Sequence, residues 1–270
     1  MATRFDPHVA SEWIEKLHAG RRDRLKDDLA VEEPLEIRID GSALAVTMRT
    51  PGEDEELAAG FLAGEGLIAG ADDIVEVGPT QDFAANVVEV RTKNGLRRDP
   101  SDERRFYLTS SCGVCGKGAL EFVRQEAPEP STDRPALTPE TVFAAPGAAR
   151  KEQHAFDRTG GLHATALFEH DGELLVVRED VGRHNAMDKA IGSLLLAGRF
   201  PLERVFATVS GRASFELVQK ASLAGLVGIV AVGPPSTLAV DLARERGMLL
   251  CGFVRGDSLN IYAGSELLSA

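Results

Sequence analysis

The last seventy residues constrain the fold more than any other stretch. Val205 to Val209, Val227 to Val232 and Met248 to Val254 are short apolar runs rich in valine. Between them lie segments of helical length, Phe215 to Leu223 and Leu238 to Arg246. They are entered through the polar turns Ser210-Gly211-Arg212 and Pro234-Pro235-Ser236. Continuously apolar strands joined through helices need crossover connections, so neighbouring strands run parallel and are covered on both faces. The C-terminal part is therefore expected to be α/β with a mostly parallel covered sheet, finished by a short strand from Leu259 to Tyr262.

The earlier chain has a different rhythm. Leu35 to Asp40 and Leu44 to Met48 alternate apolar and polar around Gly41-Ser42, the pattern of a hairpin with one wet face. Thr50-Pro51-Gly52 and a run of acids open a helix through Leu57, Phe61 and Leu62, and strands follow at Ile74 to Val77 and Val87 to Arg91. Residues 31–105 thus form a small α+β domain, closed by the polar, proline-marked Arg97 to Asp102. Residues 1–30 are charged, with a weak helical pattern over Val9 to Leu17 and the cluster Arg21-Arg22-Asp23-Arg24, and are expected to be an N-terminal extension. Residues 106–270 form the α/β domain, with a helix beginning at Thr138-Pro139-Glu140 and another around Ala148 to Phe156.

Composition narrows the function classes. Hydrophobic content of 43% and a net charge of −12 argue for a soluble protein without an extended nucleic-acid or anionic-membrane surface. Three cysteines, two of them only three positions apart, do not make a secreted disulfide framework and fit a reducing cytoplasm. No apolar run is long enough for a membrane span.

Those two cysteines stand in Thr109-Ser110-Ser111-Cys112-Gly113-Val114-Cys115-Gly116-Lys117-Gly118, after the apolar Phe106-Tyr107-Leu108 and before a helical stretch from Gly118 to Gln125. A thiol at a helix N-terminus beside a lysine favours the thiolate. Three chemistries fit a C-x-x-C: zinc binding, which needs further ligands such as His154 or His163; a redox pair; and a nucleophilic Cys112 that carries sulfur as a persulfide, assisted by Cys115. Cys251, alone in an apolar strand, reads as a core residue. Ligands in open α/β sheets bind beyond the carboxyl ends of strands. Ser210, Gly211 and Arg212 lie at one such end, where backbone N–H groups and a guanidinium can cradle an anion. The segment Phe253, Val254, Arg255, Gly256, Asp257 and Ser258 lies at another: Arg255 suits a phosphate, and Asp257 suits the paired N–H groups of a guanine edge. His163-Ala164-Thr165 is similar to the H-x-E of zinc deaminases but lacks the glutamate, so no deaminase chemistry is expected there.

Taken together, the motifs resemble the FdhD family of sulfur carriers. The resemblance rests on Glu33-Pro34-Leu35, Glu65-Gly66-Leu67-Ile68, Ser110-Ser111-Cys112-Gly113-x-Cys115-Gly116 and Thr159-Gly160-Gly161-x-His163. It continues through Glu179-Asp180-Val181-Gly182-Arg183-His184-Asn185-Ala186-x-Asp188-Lys189, Ser210-Gly211-Arg212 and Gly252-Phe253-x-Arg255-Gly256. It implies a cytoplasmic homodimer with a C-terminal domain like cytidine deaminase. It implies a sulfurtransferase that takes sulfur from a cysteine desulfurase onto Cys112, partnered by Cys115, and passes it to the molybdenum cofactor in its bis(molybdopterin guanine dinucleotide) form before that cofactor enters formate dehydrogenase. The guanine-dinucleotide segment of the family matches Phe253 to Ser258. No tightly held metal of its own is expected. The alternative is a non-catalytic cofactor chaperone whose C-x-x-C is structural or holds zinc.

Overall fold

The computed structural model describes residues 6–80, 85–97 and 134–269. Cys112 and Cys115, with the strand and helix expected on either side of them, lie outside the described residues, as does most of the boundary expected at Arg97 to Asp102.

The first element differs from its sequence reading. Val9 to Leu17 is not helical: β1 (Val9–His18) and β2 (Arg21–Ala30) form an antiparallel ribbon in full register. Ala19 and Gly20 both take positive φ, 49° and 81°, the two-residue turn whose twist suits a hairpin. That turn chemistry overrides a weak helical periodicity. A four-stranded sheet and one helix follow. Strands β3 (Glu33–Ile39), β4 (Ser42–Arg49), β5 (Ile74–Pro79) and β6 (Val87–Thr92) make a sheet of order β4-β3-β6-β5. The helix α1 (Asp54–Gly64) begins with three acidic residues, where the helix dipole favours them, and buries every residue from Leu57 to Gly64.

The second sheet has six strands in the order β12-β11-β10-β9-β7-β8. These are β7 (His163–Glu169), β8 (Leu174–Asp180), β9 (Val205–Val209), β10 (Gly228–Ala231), β11 (Leu249–Arg255) and β12 (Ser258–Ala263). Only β9, β10 and β11 pair in parallel; β7 is antiparallel to both its neighbours and β12 is antiparallel to β11. The sheet is mixed rather than mostly parallel. The reason is local: the turns at Gly172 (φ 95°) and Gly256 (φ 56°) are tight enough to return the chain as hairpins, without crossovers.

Helices cover both faces. The helices α4 (Arg183–Leu196), α5 (Phe215–Leu223) and α6 (Thr237–Glu245) lie on the side facing α1, where Leu167, Ala207, Val209, Ile229 and Leu250 join one continuous core with Leu35, Ile37 and Leu57. On the other face Ala166, Phe168, Phe206, Val230 and Cys251 pack against α2 (Pro139–Lys151). The helix expected over Ala148 to Phe156 is in fact two pieces. The helix α2 runs to Lys151, and α3 (His154–Thr159) restarts because the Glu179 carboxylate accepts from the N–H groups of Ala155 and Phe156, at 2.9 and 2.8 Å. Among the described residues no helix is long and apolar enough to cross a membrane.

The helices α1 and α4 cross at closest range through Gly60 and Gly192. A methyl group on Gly60 would sit 1.8 Å from the Asp188 carbonyl oxygen, and one on Gly192 1.8 Å from that of Glu56. Both positions need glycine for close approach.

Candidate functional site

One edge of the six-stranded sheet gathers chain ends from five strands. His163 starts β7, Asp180 ends β8, Ser210-Gly211-Arg212 follows β9, Val232-Gly233-Pro234 follows β10 and Phe253-Val254 closes β11. The loops hold one another through backbone bonds. Ser210 N–H donates to Ala164 O at 3.0 Å, Ala164 N–H donates to Ser210 Oγ at 2.9 Å, and Gly233 N–H donates to Gly211 O at 3.0 Å. Phe253 N–H donates to Gly233 O at 3.2 Å. A methyl group on Gly211 would come within 3.3 Å of the His163 ring, so glycine lets that loop lie against the imidazole.

Beneath this edge, between the sheet and α2–α3, is a cleft of about 630 Å³, within the range that accepts a nucleotide-sized ligand. Its lining includes Arg150, Gln153, Phe156, His163, Thr208, Ser210 and Val254. Thr208 is the informative member. It is 3% exposed, and among the described residues its Oγ1 is buried with no hydrogen-bond partner. Buried polar groups are nearly always satisfied, so an orphan hydroxyl on a cleft floor marks a place where a ligand or water belongs.

The mouth of the site is basic. Burial lowers the His163 pKa, and the positive fields of Arg183, His184 and Arg212 lower it further, which leaves the ring neutral near pH 7 with one donor and one acceptor nitrogen. His184 Nε2 lies 2.7 Å from the Glu216 carboxylate, whose pKa it lowers, and 3.3 Å from Ser214 Oγ. Arg183 Nε is buried without a partner among the described residues. This is a set of donors suited to an anion.

Of the residues singled out in the sequence, His163, Ser210 and Val254 line the cleft, and Gly211 lies behind the His163 ring. Arg212 is exposed beside it, and Phe253 is exposed and strained at φ 54°. Arg255, Gly256, Asp257 and Ser258 form the exposed turn of the β11–β12 hairpin, outside the cleft lining. Thr208, Gln153, Arg150 and Phe156 escaped the sequence reading. The one signal was Thr208 itself, a hydroxyl inside the apolar run Val205-Phe206-Ala207-Thr208-Val209. Cys251 is fully buried and burial pushes its thiol up to about 12, as a core cysteine requires.

Residues 30–269 match the FdhD/NarQ family. The chain belongs to that family. It is 53% identical over 249 residues to the Sulfur carrier protein FdhD of Streptomyces coelicolor, covering 89% of this chain and 88% of the relative. It is 47% identical over 272 residues to the Sulfur carrier protein FdhD of Mycobacterium tuberculosis, covering 97% and 99%. A crystal structure from Desulfotalea psychrophila, assigned as a formate dehydrogenase accessory protein, superposes with a TM-score of 0.79 at 26% identity, covering 97% of this chain and all of that one.

Several FdhD/NarQ motif residues hold the architecture together. Asp180 and Lys189 are both fully buried and 3.0 Å apart. Asp180 also accepts from the N–H groups of Thr50 and Gly182 and from Asn185 Nδ2, while Lys189 donates to Thr50 O at 2.8 Å. Lys220 lies 2.9 Å from Glu65 and 2.9 Å from Asp188, tying the end of α1 to α4 and α5. Burial raises the Asp188 pKa to about 6, with Lys220 pulling against that rise. Buried pairs of this kind specify how layers meet. They put the Arg183-His184 turn at the sheet edge.

Proposed function

We propose that the chain is a sulfur carrier for formate dehydrogenase. It takes sulfur from a cysteine desulfurase as a persulfide on Cys112 and delivers it to the molybdenum cofactor, carried as bis(molybdopterin guanine dinucleotide), before insertion. The observation that carries this reading is membership of FdhD/NarQ at 53% identity to a protein named as a sulfur carrier, with Cys112-Gly113-Val114-Cys115 present in the chain. The cleft supports the acceptor half, since its size, orphan hydroxyl and basic mouth suit one nucleotide end of such a cofactor.

In this reading the C-terminal sheet is cytidine-deaminase-like and its cleft is the old nucleoside site. Thr165 stands where a deaminase has its glutamate, so the site binds without deaminating. Phosphate and guanine groups of the cargo meet Ser210, Gly211, Arg212 and the hairpin Phe253 to Ser258. The Cys112 thiolate attacks the outer sulfur of the donor persulfide, the donor leaves as a thiolate, and Cys112 holds the extra sulfur. Cys115 then attacks the inner sulfur: a Cys112–Cys115 disulfide forms, sulfide departs toward the metal, and a cellular dithiol restores both cysteines. The protein works in the cytoplasm, as a homodimer.

Mass spectrometry after incubation with a desulfurase and cysteine tests the reading. The expected result is a mass gain of one sulfur atom on wild type and none on Cys112→Ala, which also fails to activate formate dehydrogenase. The same gain on Cys112→Ala, or stoichiometric zinc lost on Cys115→Ala, overturns the carrier in favour of a cofactor chaperone.

A further inference from the structure

Apart from Ala30, the ribbon of β1 and β2 lies outside the residues matched to the family, and the sulfur-carrier reading gives it no role. Strand alternation sorts its side chains onto two faces, and one of them turns toward the protein body. At the base of that face a methyl group on Gly161 would come within 3.6 Å of the Ala30 side chain, and Asp28 accepts from Arg158 Nε and Nη2 of α3 at 3.0 and 2.8 Å. Phe156 of α3 and the Gly160-Gly161 turn after it line the cleft. The ribbon therefore rises from the rim of the cleft, and its body-facing side continues outward from that rim.

The next residues outward on that face are Lys26 and, directly opposite it, Trp13, followed by Arg24 opposite Glu15. Trp13 is 57% exposed, and the charged groups of Arg24 and Lys26 lie 5.1 and 5.7 Å from its ring centroid. Among the described residues neither cation has an ion pair: Glu15 lies 3.5 Å from Arg22, and Asp28 is taken by Arg158. On the other face the charges oppose one another, with Lys16 across from Asp23, Arg21 3.1 Å from Asp23, and Glu12 across from Asp27. The face continuous with the cleft is thus the one that presents unpaired cations beside an exposed ring. That is the chemistry that holds a nucleotide, with phosphates on the cations and the base face on the indole. We propose that this face is a second nucleotide subsite, which takes one end of a two-ended nucleotide ligand whose other end sits in the cleft. This rests on the cleft holding a nucleotide end, as proposed above. Ala30 at the rim and Lys26 are separated by about 13 Å of strand, at about 3.3 Å per residue, a gap that a polyphosphate chain can bridge. A nucleic acid is disfavoured by the net charge of −12.

Calorimetric titration of the full chain at low salt tests it with two probes: guanosine diphosphate, which has one nucleotide end, and diguanosine tetraphosphate, which has one at each end. Wild type is expected to bind the two-ended probe about tenfold more tightly, because its second end binds intramolecularly, and the advantage should shrink at high salt. Trp13 is the only tryptophan in the chain, so its emission reports on the ribbon. The two-ended probe should quench it, and guanosine diphosphate at a concentration that fills the cleft should quench it far less. Arg24→Gln combined with Lys26→Gln should abolish the advantage of the two-ended probe. The swap of Arg24→Lys with Lys26→Arg keeps both charges and should retain it. If wild type binds guanosine diphosphate but shows no advantage for the two-ended probe, or an advantage without quenching, the ribbon subsite is overturned and the cleft stands. A doubly neutral variant that keeps the full advantage has the same meaning. No binding of guanosine diphosphate to wild type overturns the cleft reading, and the second subsite with it.

Discussion

Thr208→Val separates what the cleft does for the empty protein from what it does for a ligand. The hydroxyl is buried in β9 and lacks a partner among the described residues. An unsatisfied buried hydroxyl costs about 1 to 3 kcal/mol. It borders an open cleft lined in part by Arg150, Gln153, His163 and Ser210, where water can supply part of its bonding, so the low end of that range applies. Valine keeps the branched shape and suits a strand. Without ligand, the variant is therefore expected to gain about 1 kcal/mol, read by urea denaturation as a higher midpoint with unchanged slope. With guanosine diphosphate as probe, a lost neutral hydrogen bond predicts roughly two- to tenfold weaker binding by calorimetric titration. The two effects have opposite signs. A destabilised variant, or a stabilised one that binds as tightly as wild type, would refute the view that the hydroxyl waits for the ligand.

Two further outcomes follow from buried groups. Asp188 has its pKa raised from 3.8 to about 6, so the folded state binds a proton more tightly than the unfolded one. The resulting stability is present below pH 4 and is lost as pH rises to about 6; relative to Asp188→Asn, wild type should lose about 3 kcal/mol over that window, and parallel stability curves for the two would refute this. Cys251, with its thiol pushed up to about 12 inside the core, should resist alkylation in the native protein at pH 8 and react only in denaturant, as peptide mapping after labelling would show.

Local pattern made some of this structure legible and left the rest hidden. The strand–helix alternation after Val205 carries its own signals, and it placed Ser210 and Gly211 directly after the carboxyl end of β9. Hairpins were harder: the β7–β8 and β11–β12 returns depend on turn backbone at Gly172 and Gly256, and so the sheet read as more parallel than it is. The β1–β2 ribbon was missed for the same reason, because two positive-φ residues at Ala19-Gly20 outweigh the weak periodicity of Val9 to Leu17 before them. Asp180 and Lys189 show nothing in sequence of their structural role. Their shared partner, Thr50, lies 130 and 139 residues away, and Asn185, which reads as a polar group at a helix start, is buried against Met48 O. Thr208 was legible in principle as a hydroxyl in an apolar strand, but only the cleft gives it meaning.

The ion pair of buried Lys220 with half-buried Glu65 sets a schedule for biosynthesis. The two residues are 155 positions apart, and α1, apolar on nearly every side, precedes both helices that cover it. At ribosomal speeds of about 5 to 20 residues per second, α1 waits roughly 8 to 30 s before α4 and α5 emerge. Through that interval Leu57, Phe61 and Leu62 have no cover from them, and Glu65 has no cation. The late closure that gives the finished protein one core leaves the apolar surface of α1 open while the chain is being made, the condition under which a growing chain is prone to aggregate.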